Sequence, residues 1–391
     1  MKVDLPLGVT KILNKITEAG YRADVVGGAV RDMFLCRPTN DYDVTTDATP
    51  DVVKEIFRDE RTIDTGIKHG TVTVLLDGVG YEVTTYRRDG EYKDSRHPES
   101  VTFTTSLTDD LSRRDFTVNA MAYNPRDGFT DPFGGKEDIE SKTIRTVGDA
   151  SLRFSEDALR IIRALRFAST LGFGIEEGTR VGIKETCQLL SNVSVERIYV
   201  EVYKLLTGDA AFSVIGDFPE VMSVILPEID ILLLPFGESD DPLVRLAAIF
   251  ALNSESSSDA FDSAMRRLKT DNKSRETFRD ALRVYTERSF ATSEDVLISL
   301  RDFGEEAVLR ALDIGVLVGR YGDSEKRLTE SVLSSDIPYT VSMLAVGGRD
   351  LIALGIRGEA IGRALDKLLL DVITGKLPNE REALLLSVTE K

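Results

Sequence analysis

The sequence predicts an α+β fold, with a mixed β-sheet and helices in the N-terminal third followed by an all-α remainder. Three observations carry this expectation. Up to about residue 150, short runs rich in β-branched and aromatic residues alternate with helical patterns, whereas beyond Asp149 the apolar spacing is helical almost throughout. A chain of 391 residues is too long for one ordinary core, so two or three domains are expected. Its 42% hydrophobic and 29% charged residues are those of a globular protein, which excludes wholesale disorder, collagen-like repeats and disulfide scaffolds.

The elements follow in order. Val9, Ile12, Leu13 and Ile16 recur at helical spacing, and Ala23 to Val26 is a short apolar strand that runs into Gly27-Gly28 and a helix through Leu35. Thr49-Pro50-Asp51 combines an N-cap, a proline at the first helical position and an acidic first turn, so a helix is expected to about Arg58. Thr71 to Leu76 and Gly80 to Tyr86 flank Asp77-Gly78, a dipeptide that supplies positive φ, and predict a hairpin. Helices then follow over 155–170, 195–206, 242–252, 260–268, 273–290, 293–303, 305–318 and 358–374. The softest stretches, 253–259 and 320–338, are the expected domain edges.

Composition narrows the chemistry. Cys36 and Cys187 form no close pair and His69 and His97 are the only histidines, so a His/Cys zinc site is excluded and any metal must sit on carboxylates. The opening MKVDLPLGVTKIL lacks a basic segment with an apolar core behind it. The most apolar later stretch, 221–236, is broken by Pro227, Glu228, Asp230 and Pro235. A cytoplasmic protein without membrane contact is therefore expected. The formal net charge of −17 argues, taken whole, against a nucleic-acid partner.

Three constellations carry chemistry. Gly27-Gly28-Ala29-Val30-Arg31-Asp32 stands where a strand turns into a helix, so bare backbone and helix amides can face a phosphate; a purely structural tight turn is the alternative. Just downstream, Asp41-Tyr42-Asp43 lies on a β-prone run, and period-two geometry sends both carboxylates to one face. Two such acids repel each other unless a cation neutralises them, which points to a hard metal, most naturally Mg²⁺, although an isolated pair of this kind is usually a solvated loop. Glu82, flanked by Tyr81 and Val83 in a strand, is an odd place for a charge without a task. Three strand-borne acids behind a Gly-Gly turn suit two Mg²⁺ ions and in-line nucleotidyl transfer.

The second constellation runs from Asp109 to Ala120. Arg113 and Arg114 are suited to a triphosphate or to the nearby acids, and Asp115 and Asn119 to a ribose hydroxyl; a solvated helix start is the bland alternative. In the third, helical spacing puts Arg153, Glu156, Arg160, Arg163 and Phe167 near one stripe with Asp157 beside it. An ordinary i,i+4 ion-pair stripe explains this much. The more specific reading is that an aspartate accepting from an exocyclic amine, next to an arginine donating to a ring nitrogen, matches the pairing edge of both adenine and cytosine. Uracil and guanine, which present a carbonyl and a ring N–H, would be refused.

The order of these motifs is itself informative. VVGGAVRDMFL, DYDVTTDATP, TGIKHGTVTV, YEVTTYRRDGEYKDSRHPESVTF, DLSRRDFTVNAMAYN, DPFGGKEDI and RFSEDALRIIRALRFA resemble the successive motifs of the class II tRNA nucleotidyltransferases, the CCA-adding enzymes of the polymerase β nucleotidyltransferase superfamily. The match spans about residues 20–170, and the later helices match loosely. The resemblance implies a catalytic head (1–140), a neck with a templating helix (141–210), a helical body (211–330) and a helical tail for tRNA docking (331–391). It implies Asp41 and Asp43 as metal ligands with Glu82 as third acid, and Gly27, Gly28, Arg31 and Asp32 around the triphosphate. Asp115, with Arg113 and Arg114, would select ribose, and Asp157 and Arg160, supported by Glu156, would read ATP and CTP; Asn119 and Arg163 complete the nucleotide-binding candidates. The run 89–100 is implied to be a flexible loop that helps switch from C to A, and 131–138 the joint between head and neck. The implied partners are tRNA, ATP and CTP, with the protein a monomer or a homodimer.

Close relatives differ in product. A bacterial poly(A) polymerase shares head and neck motifs but tends to carry an arginine-rich tail, which this chain lacks. An enzyme that adds only A keeps the loop at 89–100 and stays open as an alternative; one that adds only C would lack it. An inactive RNA-binding relative would have lost a carboxylate, and all three are present. Segment counts refine the charge argument. Residues 1–150 carry a net −7, 151–210 are neutral, 211–391 carry −10, and within the last 265–288 carry +4. A narrow basic track on an otherwise acidic surface is expected, with modest and salt-sensitive RNA affinity.

Overall fold

The computed structural model describes residues 3–39, 41–64, 66–90, 100–229 and 232–389. Two compact units divide the chain, Met1–Ile225 and Leu226–Lys391. The first has a mixed sheet with helices, followed by helices alone; the second is helical.

The first unit opens with α1 (Leu7–Glu18), whose Val9, Ile12, Leu13 and Ile16 are buried as their spacing predicts. It lies against β1 (Ala23–Val26), which is followed by α2 (Gly28–Phe34), β2 (Asp43–Thr46) and α3 (Pro50–Ile56). Thr49 precedes α3 in an extended conformation but its side chain caps nothing, so the proline at N1 carries the helix start. Next come β3 (Arg61–Ile63) and the hairpin of β4 (Thr71–Leu76) and β5 (Val79–Thr85), joined by Asp77 and Gly78 at φ 51° and 81°. Both central residues at positive φ make this the tight turn whose twist matches paired strands. The short β6 (Arg87–Asp89) and β7 (Val101–Phe103) form a separate ladder, and α4 (Leu107–Ser112), β8 (Ala122–Asn124) and β9 (Gly128–Thr130) complete the sheet region.

Seven strands pair in the order β3-β4-β5-β2-β1-β8-β9. Only β2 with β5 is parallel; the other pairs are antiparallel. Val26 faces Asp43, Asp24 faces Thr45, and Val44 is level with Val83. Strand alternation therefore puts Asp24, Val26, Asp43, Thr45, Glu82 and Thr84 on one face, and Val25, Val44, Thr46 and Val83 on the other. Helix α4 covers part of the first face, where Val26, Tyr86, Leu107, Leu111, Ala120, Ala122 and Val147 form a buried cluster.

Helical structure then takes over, through α5 (Gly135–Glu140), the two-stranded β10 (Thr143–Ile144) and β11 (Gly174–Ile175), α6 (Ala150–Glu156), α7 (Leu159–Leu171), α8 (Glu177–Thr186), α9 (Val195–Leu206), α10 (Ala211–Asp217) and α11 (Pro219–Ile225). The sequence predicts one helix over 155–170; the chain instead breaks at Asp157, which is extended at φ −142° and ψ 102°. Arg153 and Glu156 therefore belong to α6, and Arg160, Arg163 and Phe167 to α7.

The second unit contains α12 (Pro242–Asn253), α13 (Ser257–Arg267), α14 (Asn272–Glu287), α15 (Ser293–Leu317), α16 (Asp323–Leu333), α17 (Gly348–Ala353), α18 (Glu359–Ile373) and α19 (Arg381–Thr389). The predicted helices 293–303 and 305–318 are one run interrupted at Gly304, whose φ of 80° and ψ of 164° are non-helical. The serine-rich stretch expected as a domain edge lies inside this unit, where Ser257 opens α13. Among the described residues no helix is long and apolar enough to cross a membrane.

Candidate active site

The site begins at Gly27, the residue between β1 and α2. Its φ of 73° and ψ of −136° suit a residue without Cβ. A Cβ there would also stand 3.1 Å from Arg114 Nη1 and 3.8 Å from Asp43 Oδ2. Gly27 is thus the floor of a cradle flanked by a guanidinium and a carboxylate.

Asp43 opens β2 and is half-buried, while Asp41 precedes the strand and is exposed. The expectation that both acids lie on one strand is thereby corrected: only Asp43 is fixed by pairing. Glu82 on β5 is level with Asp43 across the parallel pair, on the same face, and is exposed. Burial, then Asp41, raise the Asp43 carboxyl above its ordinary value; Arg114 opposes them and Glu82 adds to them. Among the described residues no three or more His, Cys, Asp or Glu side chains converge as a ready-made metal cage. The acids form an open set instead.

Below it lies a buried polar row. Asp110 on α4 accepts from Thr45 Oγ1 at 3.2 Å and from Arg113 Nε and Nη2 at 2.9 and 2.8 Å. Farther along the same face, Asp24 accepts from Tyr86 Oη at 2.7 Å and from Arg22 Nε at 3.0 Å. Arg114 is 3.7 Å from Asp110, its Nε is buried without a hydrogen-bond partner, and burial pulls its guanidinium below the usual range. A half-buried cation with an unpartnered Nε, facing Asp43, is suited to take an anionic group.

Arg31, Asp32, Asp115, Asn119 and Arg163 meet in one network. Arg31 Nη1 donates to Asn119 Oδ1 at 2.7 Å and Arg31 Nε to Asp32 Oδ1 at 3.0 Å. Asn119 Nδ2 donates to Asp115 Oδ1 at 3.2 Å, while Arg163 gives Nε and Nη2 to Asp115 Oδ2 at 2.9 and 2.6 Å. Burial alone would raise the Asp115 carboxyl, but the Arg163 charge and the bonds from Arg163 and Asn119 outweigh it and hold the group at about 2. Phe167 carries the guanidinium groups of Arg31, Arg163 and Arg166 around its ring at 5.2, 5.3 and 4.1 Å from the centroid. Burial lowers Arg166 to about 10, which leaves it charged at neutral pH.

The acid and arginine expected to read a base flank the helix break. Glu156 Oε2 receives Arg153 Nη1 at 3.0 Å and Arg160 Nη1 at 2.6 Å, and Arg160 Nη2 donates to the Arg113 carbonyl at 3.1 Å. These bonds tie α6, α7 and the Arg113 segment together. Asp157 accepts from the Leu159 amide and from Arg197, both at 3.1 Å. Sequence reasoning missed Arg197 and Glu201, which α9 brings to the network; in the sequence they are a commonplace i,i+4 pair. The segment 91–99 lies outside the described residues. At 131–138, Asp131 caps the start of α5 through the amides of Gly135 and Lys136, and the buried Asp138 accepts from Thr117 and Arg145.

Known proteins carry the same organisation. Residues 23–145 match the poly A polymerase head domain, 172–232 the RNA and SrmB-binding site of polymerase A, and 245–388 a tRNA nucleotidyltransferase domain 2. The CCA-adding enzyme of Lacticaseibacillus paracasei is 39% identical over 390 residues, covering 97% of this chain and 95% of that protein. The chain belongs to the CCA-adding enzyme family. A second member, from Levilactobacillus brevis, is 37% identical with 97% and 96% coverage. The Bacillus stearothermophilus CCA-adding enzyme, solved with CTP, superimposes with a TM-score of 0.78 at 33% identity, covering 98% and 96%. The Thermotoga maritima CCA-adding enzyme, solved with a tRNA, shares the fold at a TM-score of 0.72 and 22% identity.

Proposed function

We propose that this CCA-adding enzyme is a template-independent tRNA nucleotidyltransferase that adds C, C and A to the tRNA 3′ end from CTP and ATP, releasing pyrophosphate. The observation that carries the proposal is the meeting of Asp43, the Gly27 floor and the Arg114 guanidinium, with Arg160 tied to the carbonyl of the neighbouring Arg113.

In this reading Asp41 and Asp43 are the metal ligands, with Glu82 reinforcing the local negative charge. The donor set fits Mg²⁺, which usually binds through one or two carboxylates plus substrate phosphates and keeps waters, and so needs no protein cage. Bound there, Mg²⁺ would supply activation of the primer 3′-hydroxyl and charge neutralisation on the triphosphate. The chain's own groups do the rest. Gly27 and Gly28 leave room for phosphate oxygens, and Arg114 and Arg113 present cations to them. The Asp32–Arg31–Asn119–Asp115 chain sets the ribose side, and Asp115, kept ionised, is an acceptor for a ribose hydroxyl. Asp157 accepts from the amine of cytosine or adenine and Arg160 donates to the ring nitrogen, with Glu156 and the Arg113 carbonyl holding that guanidinium. The head, neck, body and tail of 1–140, 141–210, 211–330 and 331–391 remain the proposed domains, acting in the cytoplasm as a monomer or a homodimer.

The test supplies purified protein and Mg²⁺ with tRNA transcripts lacking CCA or lacking only the final A, and labelled CTP or ATP singly and together. Completion of both transcripts, stopping at CCA, is expected. Long A tracts would make it a poly(A) polymerase, and labelling of only the transcript ending in CC would make it A-adding.

A further inference from the structure

The carboxylate of Asp157 is held by one donor at the start of α7 and one from α9. Asp157 is extended between α6 and α7, so no helical ladder orients its side chain; two donors do. The Leu159 amide gives to Oδ1 and Arg197 Nη2 gives to Oδ2. Arg197 comes from α9, 40 residues away in sequence. One turn along the same helix, Glu201 meets Arg166 at 3.2 Å and Arg163 at 3.7 Å. Helix α9 thus offers a cation to the isolated acid and an anion to the two arginines that follow it on α7. Both partners of the Asp157–Arg197 pair are sheltered, with side chains 18% and 26% exposed.

We propose that Arg197 is a positioning residue for base selection, fixing the Asp157 carboxylate as the acceptor that distinguishes cytosine and adenine from uracil and guanine. The inference rests on the base-reading role of Asp157 given above. A carboxylate oxygen has two lone-pair directions, and with Arg197 on one of them Oδ2 keeps the other for an exocyclic amine. The Leu159 amide and Arg197 together fix the carboxylate plane, so the free direction is not averaged by rotation. Refusal of the carbonyl of uracil or guanine depends on an acceptor-only, well-aimed oxygen, since a misaligned acid or an intervening water would tolerate it.

The test is a double-mutant cycle read as nucleotide selectivity. The wild type, Arg197→Met, Arg197→Lys, Asp157→Asn and the Asp157→Asn/Arg197→Met double variant are assayed for kcat and KM with CTP, ATP, UTP and GTP on matched tRNA transcripts. Thermal unfolding of each variant accompanies the kinetics. Arg197→Met should lower the kcat/KM ratio of CTP over UTP about tenfold, the scale of a charge-assisted hydrogen bond. Most of the change should appear in KM for CTP and ATP, and Arg197→Lys should restore much of it. With Asp157 already changed to Asn, adding Arg197→Met should alter selectivity less than about twofold, because the effect passes through that carboxylate.

Unchanged selectivity in Arg197→Met overturns the inference, as does an equal loss in both backgrounds. A lower KM at unchanged selectivity overturns it too, by making Arg197 a competitor for the base edge. A uniform fall for all four nucleotides together with a lower Tm reduces Arg197 to a structural role. If Asp157→Asn itself keeps full selectivity, the base-reading role of Asp157 fails instead.

Discussion

Single side chains carry opposite duties here, and their environments show which. Asp43 is raised by burial and by Asp41, as expected of an acid waiting for a cation, whereas Asp115 is held at about 2 by Arg163. Asp41→Ala should abolish every addition, since one of two proposed ligands is lost, and incorporation of labelled CTP and ATP reads this directly. Asp115 makes a separate stability prediction. Its folded pKa lies below the unfolded value near 3.9, so its contribution is present above that value and is lost as pH falls towards 2. At pH 7 that contribution is about 2.5 kcal/mol from the size of the shift. Asp115→Asn should therefore lower Tm at neutral pH, with the gap to the wild type closing between pH 4 and 2; a constant gap would disprove the linkage. At this scale the sequence was informative about residue types and weaker on partners. Asp41, Asp43, Asp115 and Asp157 announce themselves by motif, but Arg197 and Glu201 sit in an ordinary amphipathic helix, and only packing of α9 on α7 gives them a role.

Elements turn these residues into a site through their ends. Gly27 ends a strand run and caps α2, Asp43 begins β2, and Asp157 interrupts a helical pattern. Gly27→Ala would force a side chain into a positive-φ position and against Arg114, so activity should fall at least a hundredfold while stability drops by about 1–3 kcal/mol. Turnover and urea unfolding measure the two effects, and an active, stable variant would remove the cradle from the account. Strand β1, the Asp77-Gly78 hairpin and α9 were legible because short-range rules fix them: an apolar run, positive φ and 3.6-residue periodicity. The break at Asp157 was not. Ser155 to Thr170 satisfies helical spacing, and the contacts that accompany the interruption are long-range ones, Asp157 with Arg197 and Arg160 with the Arg113 carbonyl. That the sequence pattern fails at a proposed base-reading residue is consistent with local order being given up for function.

Across the molecule, the charge is the feature that composition alone misreads. A net charge of −17 argues against RNA, yet 265–288 carry eight basic and four acidic residues. Several of these cations are already paired: Arg267 with Glu228, Arg266 and Arg275 with Asp262, and Arg288 with Asp302. Few phosphate contacts are therefore expected, and tRNA affinity should fall with salt at a log–log slope shallower than about −4, against about −0.9 per phosphate neutralised. A slope near −8 in filter binding would require a far more basic face. Base choice, in the proposed mechanism, is made by the protein itself. Its most direct measurement offers wild type and Asp157→Ala all four nucleoside triphosphates together with a tRNA transcript lacking CCA, and determines the added 3′ residues by mass. The wild type should add C, C and A alone, and Asp157→Ala should continue addition with U and G admitted; full selectivity in Asp157→Ala would contradict base reading by the protein.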